Sequence, residues 1–347
     1  MSSGNAAAVP LAVTGVGVVT PWGDEPARAA AGGGRPAGDE PWFDHRRRLG
    51  PRGYKYLPPA ARYALAAARA AAADGGRPGP VPEDRRGLLL ATNAGLAGVF
   101  DAMDAAVVEQ GAQTISPASA PYFAVNVLGN RLAVEFGLKG FALTVATART
   151  AALDALSTGA LALAAGRCDA LLLAAAEEPL PATRGGGGEQ GAVALALEPL
   201  AAAEARGARV RAVLRSRSLF LPPAALADAG GRAAAQRALA GALGALAESG
   251  GEPGVLLPDL DSSAVAETVA VALAGLPRRP RPDAPEPPTP SGAGCLGPAL
   301  ALARAVTEAG GGTRLVVSAT EAGQVALVSV APQVNRHAEE LQHAEIA

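Results

Sequence analysis

The chain has 347 residues, 49% of them hydrophobic, enough to bury a substantial core. Its 30 basic and 32 acidic residues give a formal net charge of -2, without the basic excess of a general polyanion binder. Two cysteines (Cys168, Cys295) and three histidines (His45, His337, His343) are too few and too scattered for a disulfide framework or a metal site.

The opening residues, MSSGNAAAVPLAVTG, lack the basic segment of an export signal and run into LAVTGVGVVTP (11–21), which predicts a buried strand and then a turn. Residues 24–58 are rich in Gly, Pro and Arg and read as loop. A helix is predicted over 59–74, with Pro59 near its start and Gly75 and Gly76 after its end. A strand follows over 86–93, then a helix over about 99–109. Residues 121–136 contain an apolar helical stretch, 141–147 a strand, 150–165 a helix rich in Ala and Leu, and 168–177 a strand. A Gly-rich loop (183–191) leads to a strand over 192–199.

After Arg206-Gly207 the pattern restarts. Strands are predicted over 209–218, 254–258, 313–319 and 324–331, and helices over 223–248, 262–275 and 296–309. Residues 277–290 hold seven prolines and read as an exposed linker. Alternating strands and helices with near-continuous apolar strands indicate an α/β protein with a covered sheet. The Ala-rich runs are broken by Arg, Asp or Gly before they reach membrane-spanning length, so a soluble cytoplasmic protein is expected, with neither membrane nor nucleic acid as partner.

Cofactor fingerprints fail on inspection. Gly15-x-Gly17 has Thr20 where a dinucleotide loop wants glycine, and the Gly185–Gly188 run lacks the Gly-Lys-Ser/Thr of a phosphate loop. Both read as structural turns. Cys168 opens a buried strand and reads as an inert core thiol.

The segments TGVGVVTPWG (14–23), PYFAVNVLGNRLAVEFGLKGFALTVATARTAALDAL (121–156), AAGRCDALLLAAAEEP (164–179) and VVSATEAGQVALVSVAP (316–332) resemble the β-ketoacyl synthase family of the thiolase superfamily. That resemblance implies a thiolase fold, two pseudo-duplicated βα halves in a layered αβαβα arrangement. Residues 1–205 would form the N-terminal half, 206–332 the C-terminal half, and 333–347 a polar tail.

The departures from the family pattern carry the functional expectation. Active synthases place a nucleophilic Cys in a Thr-Ala-Cys pattern at a helix start, where the helix field favours the thiolate. This chain reads Thr147-Ala148-Arg149, and an arginine is not a nucleophile at neutral pH. The family's two catalytic histidines are missing from GVLLPDLDSSAVAETVAVAL (254–273) and PTPSGAGCLGPALALA (288–303), and no His occurs between 46 and 336. A scaffold with those residues erased is similar to the chain-length factors, or ketosynthase β subunits, of type II polyketide synthases. PYFAVN and LPDLD (257–261) favour that comparison over an active synthase.

The resemblance implies a catalytically inactive partner of a ketosynthase α subunit that shapes the acyl tunnel. The growing chain would sit on an acyl carrier protein, whose 4'-phosphopantetheine belongs to that carrier, and no cofactor would be bound directly. Arg46 to Arg48 are a candidate carrier contact. Counting back from Ile115-Ser116-Pro117 puts the tunnel-gating helix at about 99–109, with Phe100, Met103 and Val107 on one face at i, i+3, i+7. Tyr122, Phe123 and Asn126 are the expected interface and tunnel-wall residues. Arg149 is expected to fill the degenerate nucleophile pocket and pair locally. The alternatives are a diverged acyltransferase or hydrolase using Thr150 or Ser157, and a pseudoenzyme scaffold outside polyketide synthesis.

Overall fold

A computed structural model of the chain describes residues 9–31, 42–76, 81–186, 188–250, 253–260, 262–276, 294–308 and 312–333. The proline-rich linker expected at 277–290 and all but the first residue of the expected tail lie outside them. The strands are β1 (Leu11–Val19), β2 (Arg86–Ala91), β3 (Ala142–Val145), β4 (Ala170–Glu177), β5 (Gly191–Pro199), β6 (Ala212–Phe220), β7 (Pro253–Leu260), β8 (Thr313–Ala319) and β9 (Gln324–Pro332). The α-helices are α1 (Pro26–Ala31), α2 (His45–Leu49), α3 (Pro59–Ala71), α4 (Ala97–Gln110), α5 (Val127–Phe136), α6 (Ala151–Ala164), α7 (Leu200–Ala205), α8 (Ala229–Gly250), α9 (Ala264–Ala272) and α10 (Leu296–Thr307).

The strands run in the order β3-β2-β4-β5-β1-β6-β9-β8-β7. β2 is parallel to β3 and β4, and β7 is parallel to β8; every other pairing is antiparallel. The set β1-β5-β4-β2 therefore recurs, with the same directions, as β6-β9-β8-β7. The break between the two sets falls at α7. A counterpart of β3 would belong between α9 and α10, where residues 277–293 lie outside the description.

Helices α6 and α10 lie between the two half-sheets. Their Leu153, Leu156, Leu302 and Ala303 share a buried cluster with Val13, Leu173, Val316 and Val328. Helices α3 and α5 cover the outer face of the first half, through Leu65, Leu128 and Leu132. Helices α8 and α9 cover the second, through Leu239, Leu246 and Val269. The result is five alternating layers of helix and sheet.

Small residues set the layer spacing. The alanines of α3 let its backbone sit directly on β1, where a Cβ on Gly17 would collide with the Ala67 carbonyl and come within 2.6 Å of the Ala71 amide. Gly15 and Gly17 thus lie inside β1. The reading of them as a turn is corrected: Gly17 serves close approach of helix to strand, and Gly15 sits at a register shift in the pairing of β1 with β5. Beyond α3, a π-type turn at Ala72–Gly76 brings Asp74 to the Val16 amide (3.0 Å) and to the Arg211 guanidinium, with Gly75 at φ 109°.

The stretch 24–58 is not plain loop, since it holds α1 and α2. Asp44 caps α2 by accepting the Arg46 amide at 2.8 Å. The helix predicted over 223–248 begins instead as a 3-10 turn (Pro223–Ala227), and α8 starts at Ala229. Among the described residues, no helix is long and apolar enough to cross a membrane.

Candidate functional site

In open α/β sheets the ligand crevice lies beyond the carboxyl ends of the parallel strands. Here those ends belong to β2, β3 and β4, and the starts of α6 and α10 meet them. Arg149 occupies the turn between β3 and α6 and is only 8% exposed. Around it, the Thr147 and Thr150 hydroxyls are buried with no hydrogen-bond partner among the described residues. Thr150 stands at the N-cap of α6 without making a side-chain cap. Ser157, two turns along α6, donates to the Leu153 carbonyl at 3.2 Å and accepts from Ser218 of β6 at 3.1 Å.

The carboxyl end of β4 carries two buried glutamates that the sequence reading did not single out. Glu177 Oε1 accepts the Asn93 amide (2.8 Å) and the Cys295 amide (2.9 Å). Its Oε2 accepts the Ala94 amide (2.7 Å) and the Thr92 hydroxyl (3.3 Å). Glu189 then accepts the Leu296 and Gly297 amides at 2.7 and 2.9 Å. Two carboxylates therefore take the orphan N–H groups at the start of α10, where the helix field favours negative charge. Gly294 lies against Glu189 with no room for a Cβ.

The environment makes both thiols inert. Burial pushes Cys168 up to about 11. Burial, and then the charges of Glu177 and Glu189, raise Cys295 well above the usual thiol range. Among the described residues His45 is the only histidine, at the start of α2, and no group of His, Cys, Asp and Glu could hold a metal ion.

A cavity of about 680 Å³ opens beside α4, between that helix, the Tyr56–Pro59 segment and the 114–122 segment. Met103 and Tyr122 line it, and the Tyr122 hydroxyl donates to the Tyr56 carbonyl at 3.3 Å. Phe100 packs instead against the outer core of the first half. Val107 is 38% exposed at the surface. The three residues expected on one face are thus divided among cavity, core and solvent. Phe123 is 64% exposed, and Asn126 is exposed at the N-cap of α5.

Glu178 is among the residues lining the cavity and is 3% exposed. Burial is the main reason its carboxyl is pushed up to about 7; the charge of Glu177 adds to this, while the amides of Gly98 and Ala60 and the Arg62 cation oppose it. A sequence signal existed for both glutamates. A uniformly apolar strand that ends in Glu177-Glu178 must either satisfy those charges inside or neutralise them.

The layering and the repeated strand pattern define an α/β chain of the thiolase fold, with an arginine at the start of its first central helix. Residues 36–207 match the family model of the β-ketoacyl synthase N-terminal domain, and this part of the chain belongs to the β-ketoacyl synthase family. No curated protein sequence matches it. Solved structures similar to it include a type II PKS acyl-carrier protein in complex with its ketosynthase bound to the hexaketide (TM-score 0.70, 18% identity, 94% of this chain and 100% of that chain). The ishigamide ketosynthase/chain length factor is also similar (TM-score 0.67, 21% identity, 94% and 100% covered). So is an oxazolomycin ketosynthase domain of Streptomyces albus JA3453 (TM-score 0.64, 20% identity, 94% and 96% covered).

Proposed function

We propose that this chain is a non-condensing, chain-length-factor subunit that pairs with an intact ketosynthase in a type II polyketide synthase and shapes the acyl tunnel. The observation that carries the reading is Arg149, buried at the start of α6 where the family motif has its cysteine. A guanidinium holds its proton at any physiological pH and cannot attack a thioester. The hydroxyls nearby offer no substitute. Thr150 has no base within hydrogen-bond reach among the described residues, and Ser157 is engaged by Leu153 and Ser218.

An obligate partner fits the surface. Among the described residues β3 is an edge strand of four uncharged residues, paired only with β2, and its Leu143 is partly exposed. Such an edge is a template for pairing with another chain. Phe123 and Val108 add exposed apolar surface. The similar ketosynthase/chain length factor and carrier-protein complex make a ketosynthase the partner we favour. The polyketide would arrive on an acyl carrier protein, held by the carrier's own 4'-phosphopantetheine.

For chain length we assign Met103, which lines the cavity, as the gate residue. Phe100 positions α4 from behind, and Val107 belongs to the outer surface. Co-expression with an intact ketosynthase from the same gene cluster tests this reading. A one-to-one complex should form, and Met103→Ala in that complex should shift products to longer chains. A soluble homodimer that ignores the ketosynthase would overturn it.

A further inference from the structure

A second cavity, also of about 680 Å³, lies between the end of α3 and the first half-sheet, at the far end of that sheet from the turn that carries Arg149. It meets the amino ends of β2 and β4, at Arg86 and Ala170, and the last turns of α3 and α5. Small residues make it. Outward positions alternate along β4 and β5, and here they fall on Ala170, Leu172 and Ala196. Helix α3 faces them with Ala68 and, just beyond its end, Ala72, and Phe136 of α5 adds to the wall. Packed layers rarely leave a gap of this size, which lies within the roughly 300–1,000 Å³ of small-molecule sites.

The charged side chains on its wall, among the described residues, are Arg69, Arg86, Glu135 and Glu198. Three of them are matched. Arg69 is spent on Glu135 (2.6 Å), the Tyr54 hydroxyl (2.6 Å) and the Leu49 carbonyl (2.8 Å). Glu198 takes two bonds from Arg206, at 3.0 and 2.5 Å. Arg86 is different. Its Nε donates to the Val81 carbonyl at 2.8 Å, while its two terminal nitrogens have no hydrogen-bond partner among the described residues and are not buried. Glu83, which feels the Arg86 charge, is exposed and is held by Lys139 at 2.7 Å.

We propose that this cavity binds a free monocarboxylate with an apolar body, the body in the alanine-lined gap and the carboxylate on the two terminal nitrogens of Arg86. A guanidinium fork pairs with a carboxylate through two parallel bonds. A dianion such as a phosphate ester would face Glu135 and Glu198 across the same cavity, with one unmatched cation to offset it. A cationic ligand would find both carboxylates taken and Arg86 opposing it. A neutral apolar ligand would strip water from Arg86 and give it no partner. The site does not draw on the acyl-tunnel reading, since it lies at the other end of β2 and β4.

The test titrates the full-length chain by calorimetry with decanoate, decanol and decylamine at about pH 7.5, where the acid and the amine are both charged. Decanoate should bind at one site, roughly ten-fold tighter than decanol, and decylamine should bind more weakly than either. Arg86→Gln should lower decanoate to the level of decanol and leave decanol unchanged. Ala196→Leu, which fills the gap from the sheet side, should bind none of them. No saturable binding of decanoate, binding of the alcohol or amine as tight as that of the acid, an unchanged preference in Arg86→Gln, or undiminished binding by Ala196→Leu overturns the proposal. Should either variant not fold, photolabelling of the native chain with a diazirine-bearing decanoate decides. Adducts on residues 68–73 and 135–138 support the site. Adducts confined to other places, the cavity beside α4 included, overturn it.

Discussion

Glu177 of β4 and Cys295 at the start of α10 are joined by a hydrogen bond of 2.9 Å from the Cys295 amide to Oε1, across 118 positions of the chain. The same carboxylate holds the turn after β2 through Asn93, Ala94 and Thr92. One side chain thus fixes the carboxyl ends of two strands against the first turn of a central helix. Glu177→Ala removes the acceptor from four donors in a buried place. We expect a loss of roughly 3–5 kcal/mol in urea unfolding, the scale for removing one side of a buried charged network. A change within experimental error would mean that the network carries no stability.

Glu178 makes stability depend on pH in the opposite sense to a salt-bridged carboxylate. Burial pushes its carboxyl up to about 7, above the ordinary carboxylate value of about 4.5. The folded chain therefore binds more protons than the unfolded chain in that window. The stabilisation is complete below about pH 4.5 and is lost as pH rises through about 7, by up to roughly 3 kcal/mol. Urea midpoints of the native chain should fall across this range relative to Glu178→Gln, which should lack that slope. Parallel curves for the two proteins would contradict the assignment.

The native chain should resist alkylation. With Cys168 pushed up to about 11 and Cys295 higher than an ordinary thiol, both of them buried, iodoacetamide at mildly alkaline pH should add no label by mass spectrometry. In denaturant both should react. Rapid labelling of Cys168 in the folded chain would show that it is not the inert core thiol described here.

Putting the nucleophile back should not restore the reaction. Arg149→Cys places a thiol at the N-terminus of α6, where the helix field favours the thiolate. That thiol should become the one alkylatable site of the folded protein. Condensation by the chain alone should stay at background, because no histidine occurs between 46 and 336 to serve the carbanion step. Turnover of an extender thioester by Arg149→Cys would show that another group replaces those histidines.

Local pattern made much of this readable in advance. The Val-rich run of β1, the alanine-leucine helix α6 and the hairpin of β8 and β9 announce themselves by composition and periodicity, and Thr147-Ala148-Arg149 needs only a register. What escaped depends on contacts distant in sequence. Nothing within a few residues of Gly17 says that Ala67 and Ala71 of α3 rest on it, so two glycines in a strand looked like a turn. The pairing of Glu189 with Leu296 and Gly297 spans more than a hundred positions. Helix α2 was legible in principle, since Asp44 ahead of His45-Arg46-Arg47-Arg48 is a capping signal, but it is five residues long and lies in a Gly- and Pro-rich stretch.

The cap of α10 bears on how the chain is made. Glu177 and Glu189 are synthesised more than a hundred residues before the amides they hold at the start of α10, and Glu177 is buried. During synthesis the first set of strands therefore waits with Glu189, and one remaining acceptor position of Glu177, lacking the α10 amides. The second repeat, for its part, has no cap for its central helix until it docks. Despite the repeated strand order, a cut at α7 would yield two unfinished pieces, and folding is governed by contacts of long sequence separation, the slow kind. The two sets of strands should therefore unfold together, in one transition.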